Sequence, residues 1–518
     1  MPISSRVAAA GVTLALALTL ALLAPVVPAG GQSSPSSVAG LEHLGTEQAS
    51  TRGQIAYFRS PALTAVAAVR ILLPDGYDPS GATRYPVLYL LHGGAGSSTR
   101  WLVDGNAEAI TAGYPLIVVM PDGGPFGFYA DWWNFGVGGP PKWETFHLSQ
   151  LLPWIDEQYP TVAGRDGRAV AGESMGGLGA IHYAAKRPDL FTAALSFSGA
   201  VDTNLFVAPP IVEVLAATEG LNLPAAVFGP RVTDEIRWRG HNPVDLAGNL
   251  RGVYLKLDTG TGVSGGPLGV GGDPVEGAMY QMGSALHERL TQRGIDHIWN
   301  SGPGCHCWPQ WHDDLREGLP LLMERFAHPA PVPSPFDYTS IDPSYAMYGW
   351  QVDITRPALE QSELSNAGPG GFSLRGSGDA RVRTAPLFEP GRLVGTTVAD
   401  AAGTTRAELV ADEDGRLAVP VSLGPGNPFQ QLSPVGTVWA AATGAPVGTW
   451  PSVTASVRFD SAPVAPTTTA GAAAAGSAAT TVPPRRSLPI TGHEAAPALL
   501  AALGALVISA LLRRATAR

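Results

Sequence analysis

A chain of 518 residues is too long for a single hydrophobic core, so we expect more than one folded region together with tails. Its formal charge is −10, and the body of the chain holds no basic run, which argues against nucleic acid or an anionic membrane surface as a partner. Cys305 and Cys307 are the only cysteines, so disulfide bonds are not the main source of stability. Their separation predicts free thiols or a strained bond. No spacing of Cys and His indicates a zinc site, and we expect neither metal nor cofactor.

The N-terminal segment, residues 1–29, has the pattern of a secretory signal peptide. Arg6 precedes an apolar stretch at 7–23, and small residues follow where signal peptidase would cut. Pro25 ends the apolar run, which favours cleavage over retention as a membrane anchor. We expect residues 30–50, which are rich in Gly and Ser, to be a linker.

Residues 51–328 alternate short apolar runs with helical patterns, which predicts a mostly parallel sheet flanked by helices, that is, an α/β fold. The predicted strands are 66–73, 86–91, 116–120, 169–170, 194–197, 253–257 and 295–299, and the predicted helices are 151–159, 178–186 and 284–293. A long segment, 204–249, is placed where a lid over a pocket would lie.

The motif Gly-Glu-Ser-Met-Gly at 172–176 lies between a predicted strand and a predicted helix. A serine at such a position is a nucleophile elbow, in which glycines allow a sharp turn that exposes the hydroxyl. The chain has 63 glycines, so the motif also arises by chance. Ser174 is therefore a candidate nucleophile that needs partners elsewhere in the chain.

Candidate oxyanion donors and a candidate base complete this chemistry. His92-Gly93-Gly94 directly follows a predicted strand, where a glycine-rich turn can direct a backbone N–H at an oxyanion. Gly94 and Met175 are the two candidate donors. His306 lies on a loop just beyond the last predicted strand and is the candidate general base.

The acid that would orient His306 is left open by the residues themselves. The chain order serine, acid, histidine is typical of elbow hydrolases and admits Asp258, Asp273 and Glu276. A strand precedes the first of them directly, and the other two lie close to a predicted helix.

The stretch from 86 to 327 resembles the esterase D and mycolyltransferase (antigen 85) branch of the α/β-hydrolases. The pieces that carry the resemblance, besides the elbow, are Leu-Leu-His-Gly-Gly at 90–94, Val-Met-Pro-Asp-Gly-Gly at 119–124, Phe-Tyr-Ala-Asp-Trp at 128–132, Lys-Trp-Glu-Thr-Phe at 142–146 and His-Cys-Trp-Pro-Gln-Trp at 306–311. The resemblance implies Glu276 as the acid, with Asp273 as runner-up. We interpret the block at 142–146 as a packing motif on the floor of the site.

Departures from the mycolyltransferase pattern bear on the substrate. The family has aspartate in place of His92 and arginine in place of Ala95, both of which contact trehalose there, so the polar grip on that sugar is lost. We expect four side chains to line the substrate pocket: His92, Asp131, Trp132 and Trp308. The first hypothesis is a serine esterase acting on carboxylic esters. The alternatives are an acyltransferase that moves an acyl chain to a sugar or glycolipid hydroxyl, and an inactive surface binding protein.

Beyond a proline-rich boundary the pattern changes. Residues 336–460 hold short alternating runs separated by Gly, Pro and Asp, which predicts a smaller β-sandwich. Residues 461–487 consist mainly of Ala, Thr, Pro and Gly, so we expect a stalk that buries no core.

The C-terminal segment, 488–518, resembles the sortase sorting signal of Gram-positive surface proteins. Leu-Pro-Ile-Thr-Gly precedes an apolar run at 495–512, which is long enough to cross a bilayer, and arginines follow. The resemblance implies cleavage between Thr491 and Gly492 and covalent attachment to peptidoglycan. Signal peptidase and sortase are then the expected processing partners, and the enzyme is expected outside the cell on the wall.

Overall fold

The computed structural model describes Val38 and residues 40–206, 208–217, 225–263, 272–442 and 452–460. The predicted signal peptide, the stalk and the sorting signal lie outside the described residues. So does the apolar run at 495–512. Within the described part, no helix combines the length and the apolar character that crossing a bilayer requires.

Nine strands of the first region form one sheet. They are β1 Glu42–Gln48, β2 Gly53–Arg59, β3 Ala67–Leu72, β4 Val87–Leu91, β5 Ile117–Pro121, β6 Arg168–Glu173, β7 Ala193–Phe197, β8 Tyr254–Gly260 and β9 Ile298–Gly302. Their order across the sheet is β1-β2-β3-β5-β4-β6-β7-β8-β9. Strands β1 to β3 are antiparallel to their neighbours, and β5, β4 and β6 to β9 run parallel. The predicted, mostly parallel α/β sheet is confirmed.

Strand β1 corrects the prediction of a linker over 30–50. It pairs with β2, and the ring of His43 contacts Phe58 and Trp154. The sequence of β1, Glu-His-Leu-Gly-Thr-Glu-Gln, has no apolar alternation. This agrees with the structure, in which every residue of β1 is at least partly exposed. Pairing with a neighbouring strand, rather than burial, therefore holds it in the sheet.

Helices cover both faces of this sheet. They are α1 Arg100–Val103, α2 Ala107–Ile110, α3 Leu152–Gln158, α4 Met175–Lys186, α5 Ala208–Ala217, α6 Arg231–Gly240, α7 Pro274–Gln292 and α8 Trp308–Ala327. A π-helical segment, Thr145–Leu151, leads into α3, and short 3-10 turns cover Asn134–Gly136, Arg165–Gly167 and Ala247–Leu250. Because side chains alternate along β6, Val170 belongs to the same core as Ile181 of α4, whereas Ala169 and Ala171 belong to the core that includes Leu315 of α8.

The second region is a β-sandwich, as predicted. Its strands are β10 Phe336–Ser340, β11 Ser344–Met347, β12 Trp350–Thr355, β13 Ser362–Gly368, β14 Gly371–Gly376, β15 Asp379–Arg383, β16 Leu393–Asp400, β17 Gly403–Val410, β18 Ala418–Ser422 and β19 Val453–Phe459. A six-stranded sheet, β10-β13-β14-β19-β16-β17, faces a four-stranded sheet, β11-β12-β15-β18, across a core that includes Trp350, Phe372, Phe388 and Phe459. A helix that the sequence did not indicate, α9 Pro434–Ala442, completes it.

Partly buried polar contacts join the two regions at the C-terminal end of α4. The ammonium of Lys186 lies 2.7 Å from Asp342 and 3.5 Å from Glu144. The hydroxyl of Tyr338 donates to the carbonyl of Lys186 at 2.6 Å. Ser174 precedes the other end of α4, and a helix of 12 residues spans about 18 Å, so the sandwich is attached far from the elbow.

Candidate active site

Ser174 occupies a strained turn between β6 and α4. Its backbone has φ 53° and ψ −117°, a conformation that L-residues avoid and that persists only where the surroundings enforce it. The N–H of Ser174 donates to the carbonyl of Phe197 at 2.9 Å. A Cβ on Gly172 would overlap the carbonyl of Gly176, and one on Gly176 would overlap that of Leu91. The two glycines therefore allow the close approach that the elbow requires.

Ser174, His306 and Glu276 form one hydrogen-bonded chain. The Oγ of Ser174 lies 2.9 Å from Nε2 of His306, and Nδ1 of His306 lies 2.8 Å from Oε2 of Glu276. Since a carboxylate only accepts, Nδ1 carries the hydrogen and the lone pair of Nε2 faces the serine hydroxyl. This is the arrangement of a serine nucleophile with its general base.

The environment of His306 favours its protonated form. Burial lowers the pKa of His306, but the hydrogen bond and charge of Glu276, followed by the charges of Glu173 and Asp273, outweigh burial and raise the pKa above its ordinary value. Glu276 itself is fully buried, and its Oε1 accepts hydrogen bonds from the hydroxyl of Ser198 and from a backbone N–H. The carboxylate is therefore held with one oxygen directed at the imidazole.

The structure separates the three carboxylates that the sequence left open. Asp273 caps α7 with Oδ1, and its Oδ2 accepts the backbone N–H of His306 at 2.8 Å. Asp258 lies 2.5 Å from the ammonium of Lys256 and accepts from Asn300 at 2.8 Å. Only Glu276 of the three contacts the imidazole of His306.

The two predicted oxyanion donors line the cavity beside Ser174. Met175 is the first residue of α4, so its N–H has no acceptor within the helix. The next N–H after Gly94 is used elsewhere, because Ala95 donates to the carbonyl of Pro125 at 2.7 Å. Gly94 and Met175 therefore stay the candidate oxyanion donors.

Three of the four predicted pocket side chains do not line the cavity. His92 is 1% exposed and accepts the N–H of Gly123, Asp131 accepts both the N–H and the hydroxyl of Thr145, and the indole N–H of Trp132 donates to a backbone carbonyl. Their polar groups are used to hold the backbone, so the prediction was wrong for these three. Trp308 does line the cavity.

The block at 142–146 is a packing motif, but it is not the floor of the site. Trp143 stacks on His147, and Phe146 contacts Phe58 in the core. None of its five residues is among those that line the cavity next to Ser174. The block fixes the chain that runs into α3 instead.

The cavity next to Ser174 has a volume of about 380 Å³ and mostly apolar walls, which include Phe126, Phe128, Ile211, Leu215, Met279 and Met282. Ile211 and Leu215 belong to α5, so part of the predicted lid at 204–249 does border the pocket. Another part of that segment packs elsewhere, because Gly240 at the end of α6 meets Ile341 and Gln430 donates to Thr233.

Sequence reasoning missed Glu173, the residue before the nucleophile. It lines the cavity, is 4% exposed and accepts the N–H of Gly93 through Oε1. Burial raises the pKa of Glu173 to about 7, although the charge of His306 and the hydrogen bond from Gly93 oppose this. A charged residue inside the elbow motif was the available signal.

Cys305 and Cys307 form a disulfide on the loop that carries His306.

One group among the described residues has the chemistry of a metal site: Glu144, His182 and His241, whose ligand atoms lie within 4.8 Å of one another. It lies near the C-terminal end of α4, away from Ser174. The ammonium of Lys186, 3.5 Å from Glu144, already supplies a positive charge there. We therefore assign this group to the junction between the two regions.

A strained serine after a parallel strand, with a histidine and a glutamate following in chain order, defines a serine hydrolase with the α/β-hydrolase fold. Residues 60–322, just over half of the chain, match the Esterase family model, described as "Putative esterase". The chain belongs to this family.

Curated relatives include esterases and acyltransferases. The chain is 39% identical over 251 residues to Esterase Rv1288 of Mycobacterium tuberculosis, covering 48% of this chain and 54% of that protein, so it spans about half the relative's length. It is 28% identical over 284 residues to the diacylglycerol acyltransferase/mycolyltransferase Ag85B of Mycobacterium leprae, covering 52% of this chain and 83% of that protein. These relatives confirm the expected esterase and antigen 85 branch.

Solved structures with a similar fold include a ferulic acid esterase, at 23% identity and a TM-score of 0.40. The match covers 53% of this chain and 99% of the ferulic acid esterase. They also include MPT51 of Mycobacterium tuberculosis, at 22% identity and a TM-score of 0.41, which covers 52% of this chain and 96% of that one.

Proposed function

We propose that the protein is a serine esterase that cleaves carboxylic esters of apolar acyl groups through an acyl-enzyme. The observation that carries the proposal is the hydrogen-bonded chain Ser174, His306 and Glu276, which opens onto an apolar cavity of about 380 Å³. Cavities of this size and character bind small, largely apolar ligands.

The mechanism follows from the positions of these groups. Ser174 Oγ attacks the ester carbonyl while Nε2 of His306 takes its proton, and the N–H groups of Gly94 and Met175 stabilise the oxyanion. The carboxylate of Glu276 stabilises the imidazolium. His306 then gives the proton to the departing alcohol, and in the second half it activates water, which releases the acid from Ser174.

Transfer of the acyl group to a hydroxyl instead of water uses the same acyl-enzyme. The similarity to proteins named diacylglycerol acyltransferase/mycolyltransferase favours this second candidate. Hydrolysis remains the first proposal because His92, which stands where the mycolyltransferases have a sugar-contacting aspartate, is buried and bonded to backbone.

A series of p-nitrophenyl esters of increasing chain length tests the activity, with trehalose added as an acyl acceptor in a parallel series. We expect release of nitrophenol, labelling of Ser174 by a fluorophosphonate, and loss of both in Ser174→Ala, while Ser301→Ala on β9 serves as a matched serine control. A protein that neither hydrolyses any ester nor takes the label contradicts the proposal and favours a binding role. Transfer to trehalose in preference to hydrolysis favours the second candidate.

We also propose that the enzyme acts outside the cell, attached to the wall. The support is the signal-peptide pattern at 1–29 and the sorting-signal pattern at 488–518. Cell fractionation tests it: the full chain is expected in the wall fraction, and a chain that ends at residue 487 in the medium. Recovery of both in the cytoplasm contradicts the proposal.

A further inference from the structure

The turn that carries Gly94 is held from two sides by buried polar side chains. On one side, Nε2 of His92 accepts the N–H of Gly123 at 2.9 Å, so Nδ1 carries the hydrogen and donates to the carbonyl of Gly93 at 2.8 Å. On the other side, the N–H of Gly93 donates to Oε1 of Glu173. Gly93 therefore has both its backbone polar groups bonded to side chains.

These two bonds determine the direction of the Gly94 N–H. The carbonyl of Gly93 and the N–H of Gly94 belong to one planar trans peptide group and point in opposite directions. Fixing the carbonyl of Gly93 fixes the N–H of Gly94, and fixing the N–H of Gly93 restrains the preceding peptide. Glycine has no Cβ to limit its backbone angles, so the turn depends on such bonds for its geometry.

Glu173 also connects this turn to the nucleophile. It is the last residue of β6 and immediately precedes Ser174, and it is 4% exposed. A Cβ on Gly93 would overlap both carboxylate oxygens of Glu173, so the side chain fills the space between the turn and the elbow. Glu173 and Ser174 are adjacent in the chain, so the same short segment positions both the oxyanion donor and the attacking oxygen.

We propose that Glu173 is a positioning residue for the oxyanion hole, whose carboxyl group ties the turn at Gly93 to the nucleophile elbow and so holds the N–H of Gly94 towards the carbonyl under attack. The inference rests on the proposed esterase function. The proposed role is that of a hydrogen-bond acceptor for the N–H of Gly93. The carboxyl group also interacts electrostatically with His306, His92 and Arg100, and this effect of its charge has to be separated from the proposed role.

Three substitutions separate acceptance from charge. Glu173→Gln keeps an acceptor oxygen at the same reach without the charge, Glu173→Leu removes both, and Glu173→Asp keeps the charge but withdraws it by one methylene. Asp156→Asn, in α3 and away from the cavity, is the control for loss of a partly buried carboxylate that accepts hydrogen bonds. Each variant is measured by kcat and KM on a p-nitrophenyl ester and by the affinity of an alkyl trifluoromethyl ketone, whose adduct with Ser174 places an oxyanion in the hole.

We expect Glu173→Leu and Glu173→Asp to lose about 10- to 100-fold in kcat and a similar factor in ketone affinity, with KM within about twofold, because a misplaced donor weakens only the oxyanion-bearing states. Glu173→Gln is expected to retain most of both. Should the leucine variant fail to fold, the aspartate variant decides alone.

Three outcomes overturn the inference while leaving the esterase intact. The first is wild-type kcat in Glu173→Asp or Glu173→Leu, and the second is a loss in Glu173→Gln as large as in Glu173→Leu, which would assign the effect to charge. The third is a fall in kcat without a parallel fall in ketone affinity. An inactive, unlabelled wild-type protein contradicts the proposed function itself, so the two failures are distinguishable.

Discussion

The two folded regions use their buried polar groups differently. In the α/β region, Glu173, Glu276 and His306 converge on the carboxyl ends of parallel strands, next to a cavity of about 380 Å³. In the β-sandwich, buried hydroxyls bind nearby backbone: Ser362 donates to Ser340, and Thr384 accepts the N–H of Leu417. Among the described residues, the serine, the histidine and the glutamate of the candidate active site all belong to the first region. We therefore expect changes in the core of the second region to leave the reaction largely unaffected.

The largest effect is expected within the α/β region, where two buried carboxylates are associated with the strand β8. Asp258 is part of β8, and Glu276 accepts the N–H of Gly260 at the end of that strand. Glu276→Gln presents His306 with an amide that disturbs its orientation and no longer stabilises imidazolium, so we expect kcat to fall about 10³- to 10⁴-fold. Asp258→Asn is the matched control. It leaves kcat within about twofold but costs about 3–5 kcal/mol of stability, because the buried ammonium of Lys256 loses its partner.

Steady-state kinetics and denaturant unfolding of both variants distinguish these roles. Equal losses of kcat in the two variants would contradict the assignment of Glu276 as the acid.

The second effect tests the independence of the two regions. Trp350 is 2% exposed in the sandwich core, so Trp350→Ala is expected to destabilise the sandwich by about 3–5 kcal/mol while kcat/KM stays within about twofold at temperatures where the protein is folded. Trp101→Ala is the counterpart in the α/β region. Trp101 contacts Trp308 of the cavity wall, so this variant is expected to lose both stability and activity.

Unfolding of these variants is best followed by two probes, because two regions need not unfold together. Loss of activity in Trp350→Ala under folded conditions would show that the sandwich contributes to the site after all.

The smallest effect concerns pH. Burial raises the pKa of Glu173 from its ordinary value near 4.5 to about 7, so between these values the native state binds more protons than the unfolded state. The contribution of Glu173 to wild-type stability therefore falls as pH rises through this window. Glutamine does not titrate, so Glu173→Gln lacks this fall in stability with pH. The stability of the variant relative to wild type is therefore expected to grow from pH 4.5 to 7, by up to about 3 kcal/mol.

The same substitution removes a negative charge that raises the pKa of His306. The acid limb of its kcat/KM profile is expected to shift to lower pH, since that limb reports protonation of the general base. An unchanged profile, together with an unchanged dependence of stability on pH, would show that Glu173 is not ionised in this range.

Much of the site was predictable because it follows the order of the chain. Strands alternating with helices, and a serine between Gly172 and Gly176, carry local signals that survive without tertiary information. Glu276 was chosen over Asp258 through a resemblance, since each is a carboxylate near a strand or helix end. Only the contact with Lys256 shows why Asp258 is otherwise engaged.

The errors share a physical cause, which is that burial of a polar side chain depends on contacts distant in sequence. His92, Asp131 and Trp132 carry functional groups suited to a pocket, yet all three bond to backbone. Strand β1 was missed because its sequence has no apolar alternation. The strand is stabilised by pairing with β2, which its own sequence does not reveal. Glu173 was overlooked because the elbow motif leaves its second position unspecified.

The carboxylate of Asp273 couples the positions of Glu276 and His306. One of its oxygens caps the helix that carries Glu276, and the other holds the backbone of His306. A displacement of this anchor moves acid and base in the same direction, so the separation between them is preserved. The hydrogen bond between Glu276 and His306 is therefore expected to persist when the backbone around Asp273 shifts.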